Sequence, residues 1–174
     1  LMVDGIYQQG QLATVFHRVY FNDGSLRSET LPGTRFKVPI GVRLSYFIGN
    51  YVILRGHYRF YNDNWGLTAH TMNIELPVKL SPFLTLSPYY RFNSQSGLKY
   101  FAPYGQHAPT DAFFTSDYDL SDFTSQFVGA GVRVHPENGV FGMKNFSALE
   151  IRYGHYMRST GLSSNIITLG MNFK

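Results

Sequence analysis

Ten basic side chains recur singly at alternate positions within apolar runs. They are Arg18, Lys37, Arg43, Arg55, Arg59, Lys79, Arg91, Arg133, Arg152 and Arg158. The acids that could oppose them are fewer, mainly Asp4, Glu75 and Glu150. Two kinds of chemistry suit such a set. In a wide pore, a ring of guanidinium groups draws in anions. In a narrow interior, the same groups bond carboxylates, tyrosine hydroxyls and strand carbonyls, because buried charges need partners. We expect a basic network of Arg43, Arg55, Arg59, Arg91, Arg133 and Arg152 with Glu75 and Glu150, and favour the structural network over the selective pore.

Other candidate chemistry is thinner. Asp117, Asp119 and Asp122 in SDYDLSD could hold calcium among Ser and Thr oxygens, but the spacing is not that of an EF-hand loop. Capping of local turns is the simpler role for these aspartates. The six histidines are His17, His57, His70, His107, His135 and His155, and they form no HExxH motif. His70 lies near Thr68 and Asp63, a grouping that a wall-mounted hydrolase could use. Lone histidines in strands are more often hydrogen-bonded wall residues, so we expect no enzyme activity. There is no phosphate-binding glycine motif, and we expect no cofactor and no resident metal.

These residues sit on elements with a period of two. In Phe36–Ile48, Phe36, Val38, Ile40, Val42, Leu44, Tyr46 and Ile48 share one face, and Lys37, Pro39, Gly41, Arg43, Ser45 and Phe47 the other. In Leu67–Leu80, Met72, Ile74, Leu76, Val78 and Leu80 oppose Thr71, Asn73, Glu75, Pro77 and Lys79. Near the C-terminus, Ile167, Leu169, Met171 and Phe173 oppose Ile166, Thr168, Gly170 and Asn172. We expect roughly nine strands: Met2–Gln8, Leu12–Phe21, Phe36–Ile48, Tyr51–Tyr61, Leu67–Leu80, Leu84–Gln95, Ser125–His135, Phe146–Arg158 and Asn165–Phe173. Several run from roughly ten to fourteen residues, whereas soluble strands usually have about five or six. A tilted strand needs about 9–11 residues to cross a bilayer. Aromatics fall near the expected strand ends: Tyr46, Tyr51, Phe60, Trp65, Phe83, Phe92, Phe146 and Phe173. Interfacial girdles of membrane barrels belong there.

The composition agrees. The 174 residues suit one domain over 1–174, with 17% aromatic and only 15% charged residues. A soluble domain carries about 25% charged residues. There is no cysteine, so disulfides and thiol chemistry are excluded. The net charge is +4, but the basic residues never form a run, which argues against a nucleic-acid partner. No apolar run approaches the roughly 20 residues of a membrane helix. A soluble β-sandwich with long strands is the competing fold, and the low Lys and Glu content argues against it.

Connections alternate in length. QQGQ, Gly49-Asn50 and Ser81-Pro82 are short, NDNWG is intermediate, and Asn22–Arg35 and Ser96–Thr124 are long. Outer-membrane barrels pair short periplasmic turns with long outer loops. With the C-terminus in the periplasm, the long loops fall outside and the first strand would begin outside. Such barrels have even strand numbers, so we expect a C-terminal portion of a larger barrel with N-terminal strands missing. Tyr100, Phe101, Tyr104, Phe113, Phe114, Tyr118 and Phe123 make the longest loop too aromatic to be floppy.

Several segments carry a resemblance. HYRFYNDNWGLTAHT supplies Tyr58–Tyr61 and the turn Asp63–Gly66, with Trp65 between them. SPYYRFNSQSG supplies Tyr90–Phe92 with Ser94-Gln95, and TSDYDLSDFTSQFVGAGVRV supplies Asp117–Phe123. In order and spacing these resemble a bacterial outer-membrane β-barrel family of unknown function, the domain of unknown function 3570 family. The likeness covers roughly residues 34–134. It implies an outer-membrane location, a family-motif hairpin at Tyr58, Asp63, Trp65 and Gly66, and no characterised activity. The expected role is therefore a structural or interaction component of an outer-membrane assembly. Its expected partners are outer-membrane lipids and other outer-membrane or surface-exposed proteins. The alternative is a passive channel or porin for small anionic or polar solutes.

Overall fold

The computed structural model describes residues 1–174. It is an all-β structure dominated by one large antiparallel sheet. The strands are β1 (Met2–Val3), β2 (Ile6–Gln9), β3 (Arg18–Tyr20), β4 (Leu26–Ser28), β5 (Thr34–Ile48), β6 (Val52–Asp63), β7 (Thr68–Glu75), β8 (Val78–Ser81), β9 (Leu84–Gln95), β10 (Phe123–Val134), β11 (Phe146–Arg158) and β12 (Ser163–Phe173). The large sheet has the order β1-β5-β6-β7-β9-β10-β11-β12; β2 pairs with β5, and β8 pairs with β6 and β9. From β5 onward the main-path strands follow chain order, apart from the short β8, as hairpin connections demand. The expected long strands are present, with β5 at 15 residues, β11 at 13 and β9 at 12.

Three expectations need correction. Leu12–Phe21 is not a strand of the large sheet. Only Arg18–Tyr20 is extended, and it pairs with Leu26–Ser28 in a separate two-stranded sheet. The turn Asn22–Ser25 closes this ribbon, with Gly24 at φ 81° and the Ser25 amide donating to Asp23 Oδ1 at 2.8 Å. Arg18 therefore leaves the alternating set; it donates to the Val15 carbonyl and the Ser28 hydroxyl, each at 2.7 Å. Leu67–Leu80 is two strands, because Pro77 has no N–H to give to the ladder and interrupts it. Met2–Gln8 is likewise broken between β1 and β2, which both pair with β5.

The chain divides into two compact units, each assembled from several segments. The first comprises Leu1–Gly41, Arg59–His70 and Ser94–Phe123; the second comprises Val42–Tyr58, Thr71–Asn93 and Thr124–Lys174. The first unit has a buried apolar interior in two clusters. Val19, Phe21 and Phe114 form one; Trp65, Leu67 and Leu98 form the other, with Leu12, Leu31, Tyr61, Tyr100, Phe101 and Leu120 packed against it. Tyr100, Phe101 and Phe114 of the long loop are spent here, which ties that loop to the first unit.

The second unit is built the other way round. Its buried apolar residues are confined to Val140, Phe146 and Ala148, near the start of β11. Along the inner strands β7, β10 and β11 the apolar face is the exposed one: Met72 41%, Ile74 39%, Val128 46%, Val132 43% and Ile151 48%. Trp65 and Phe146 do not join that exposed set, contrary to the girdle expectation. Trp65 is buried because its indole N–H donates to the Thr34 carbonyl at 2.9 Å under the Arg35 guanidinium. Phe146 is buried because it stacks on Phe173.

Candidate functional site: the polar face of the sheet

Strand alternation puts Arg43 on β5, Arg55 and His57 on β6, Asn73 and Glu75 on β7, Arg91 on β9, Arg133 on β10, and Glu150 and Arg152 on β11 on the polar face. All belong to the second unit. Glu75 is the pivot. Its carboxylate takes Arg152 at 2.9 Å and Arg55 at 3.5 Å, and Arg152 also reaches Glu150 at 3.1 Å. The Arg152 guanidinium lies over the Tyr89 ring, 4.7 Å from its centroid. β9 and β10 separate β7 from β11 in the sheet. On a flat sheet that is three strand spacings, about 14 Å. The two long side chains lean toward each other across β9 and β10 to close that span.

Two recesses lie on this face. One, of about 270 Å³, is lined by residues of six strands, β6 to β11, among them Arg55, Glu75, Arg133, Glu150 and Arg152. The other, of about 440 Å³, brings Arg43, Arg55, His57, Asn73, Glu75 and Arg91 together. Of the expected basic network, only Arg59 stands elsewhere. It belongs to the first unit, with its guanidinium 6.0 Å from the Tyr61 ring.

Beneath this face, β10 and β11 meet through two glycines. Gly129 and Gly154 are register partners. The Tyr89 and Phe127 rings, 5.3 Å apart, fill the notch, and the Tyr89 hydroxyl donates to the Tyr153 carbonyl at 3.2 Å. A Cβ at Gly154 would stand 2.5 Å from the Phe127 ring and from the Tyr89 hydroxyl. At Gly56, by contrast, nothing lies within 4 Å of an added Cβ. Gly154→Val is therefore expected to destabilise the fold by about 1–3 kcal/mol through overpacking. Gly56→Val is expected to be neutral or stabilising, by up to about 1 kcal/mol from strand propensity. Urea unfolding of the variants measures both; equal effects would sink the notch.

In the first unit, the motif hairpin is organised by Asp63, whose side chain is fully buried. Its Oδ1 accepts the amides of Trp65 at 2.9 Å and Leu67 at 3.1 Å. Its Oδ2 accepts the Tyr61 hydroxyl at 2.9 Å and the Arg35 guanidinium through Nε at 2.9 Å and through Nη2. Gly66 closes the turn at φ 89°, a left-handed conformation that a glycine adopts freely. Tyr58 is not part of this knot; it lies in the second unit and is partly exposed.

Two suggested sites do not assemble. His70 stacks on Phe60 at 5.1 Å, while Asp63 is committed to Arg35, so no Asp–His pair forms. At the calcium candidate, no group of three ligating side chains gathers, and Asp117 Oδ1 caps the short 3-10 turn Tyr118–Leu120 by accepting the Asp119 amide at 2.9 Å. Residues missed in the sequence are Arg35, Glu29 and the Tyr89–glycine notch. Arg35 shares parity with Lys37 and could have been found. Glu29 gave no signal. It is buried in a loop, where it accepts the Thr115 hydroxyl at 2.5 Å and the Thr14 amide at 2.6 Å.

The class that fold and site define is an all-β protein with an ionic polar face on one large antiparallel sheet. The chain belongs to the family described as Protein of unknown function (DUF3570), whose sequence profile matches residues 6–165. No curated protein and no solved structure matches it.

Proposed function

We propose that the chain forms the wall of an outer-membrane-type β-barrel and serves as a structural or interaction component of a bacterial outer-membrane assembly, without catalysis. One observation carries this reading: on the inner strands β7, β10 and β11 the apolar face is exposed while the opposite face holds the ion pairs. Water would penalise that arrangement. Soluble monomers rarely expose contiguous apolar patches above a few hundred Å². A lipid bilayer favours it, because barrel walls alternate apolar-out and polar-in. Strands of 11 to 15 residues, such as β12 and β5, are long enough to cross a bilayer tilted. In this reading the short turns face the periplasm, and the aromatic loops face outward, where surface partners dock.

The Glu75–Arg152–Glu150 knot favours a wall braced by charge over a wide conduit. A second reading, a passive path for small anions, draws on Arg43 and Arg91, which no carboxylate engages. Refolding into phosphatidylcholine vesicles tests the membrane reading. The protein is expected to resist extraction by alkaline carbonate, and recovery in the aqueous phase would overturn it. Planar-bilayer recording separates the two roles. A wall component gives no reproducible current. An anion-preferring current that falls in Arg43→Ala would favour the channel.

A further inference from the structure

We propose that the recess between Arg43, Arg55, His57 and Arg91 binds a small oxyanion, a carboxylate or phosphate group carried on a water-borne molecule. The proposal rests on the reading of this face as a water-filled interior. Four strands consecutive in the sheet, β5, β6, β7 and β9, build the site, so rigid elements position its side chains. Three guanidinium groups face one carboxylate there, an excess of two positive charges. That carboxylate, Glu75, is already bonded to Arg152 outside the recess. Arg55 shares Glu75 only at 3.5 Å, and Arg43 and Arg91 have no carboxylate within ion-pair distance.

The basic network thus separates into two parts. Arg55 and Arg152 balance Glu75 and Glu150, whereas Arg43 and Arg91 keep free donor forks. A guanidinium fork matches the paired oxygens of a carboxylate or phosphate. His57 and the Asn73 amide add donors at the same recess. The volume of about 440 Å³ leaves room for the organic carrier of the anion as well as its charged group.

Isothermal titration of the detergent-folded chain at low ionic strength tests the site, with inorganic phosphate and citrate as separate probes. Saturable binding of at least one is expected. Phosphate alone would assign a phosphate carrier, citrate alone a carboxylate carrier, and both a general oxyanion site. The double variant Arg43→Gln/Arg91→Gln should weaken binding about tenfold or more. Lys144→Gln/Lys174→Gln removes equal charge elsewhere and should change it less than about twofold. Should the double variant not fold, Arg43→Gln alone is expected to weaken binding about threefold, its side chain being on an exposed stretch of β5. No saturable heat with either anion, or equal weakening in both double variants, overturns the proposal. Detergent titration needs no insertion into vesicles, so its failure is separate from failure of the carbonate-extraction test.

Discussion

Asp63→Ala is expected to lower the unfolding free energy by about 3–5 kcal/mol, the cost of stripping one partner from a buried ion pair. The Arg35 side chain is 13% exposed and Asp63 not at all, so the guanidinium left behind has little water to turn to. The Trp65 and Leu67 amides and the Tyr61 hydroxyl lose their acceptor in the same step. Each buried donor left unmatched costs about 1–3 kcal/mol before relaxation. The protein's single tryptophan sits in this knot under Arg35, 4.5 Å from the guanidinium carbon. Trp65 fluorescence during urea unfolding therefore reads the effect directly. Arg35→Met removes the stranded charge, so the Arg35→Met/Asp63→Ala pair should cost less than the two single changes added together. Strict additivity, or a loss below 1 kcal/mol for Asp63→Ala, would show that the pair does not hold this turn.

Ile151→Arg, in the middle of β11, is expected to cost about 2–4 kcal/mol in a bilayer. Ile151 is paired with Val132 and Leu169, and all three are exposed on the apolar face. Met157 lies on the same face at the strand end, paired with Ser163. There, Met157→Arg should cost only about 0–1 kcal/mol, because the side chain reaches the interface. If the same surface faced water, both substitutions would fall within about 0.5 kcal/mol of the parent. Equilibrium folding into vesicles measures both. A steep dependence on depth supports the wall reading, and a flat, near-zero response sinks it.

Glu29 and Asp63 mark the limit of what local pattern reveals. Asp63 stands in a recognisable turn, NDNWG, so a capping role was legible, but its pairing with Arg35 spans 28 residues of sequence. Glu29 lies in a polar stretch that reads as solvated loop, yet it is buried against Thr115, 86 residues away. Alternation predicts which face a strand residue takes. It says nothing about loops, whose burial depends on what folds over them.

By itself, the sequence determined the long strands, their two faces and the basic character of one face. Those follow from a period of two and from strand length, both local properties of the chain. Tertiary structure alone decided the charge pairing. Glu75 meets Arg152 because the sheet order sets them three strands apart, within reach of two long side chains, and Arg43 and Arg91 stay unmatched because no carboxylate is brought within reach. It also decided that Trp65 is core and not girdle, and that Gly129 and Gly154 make room for Tyr89. Register and close packing depend on residues far apart in the chain, so no window of sequence contains them.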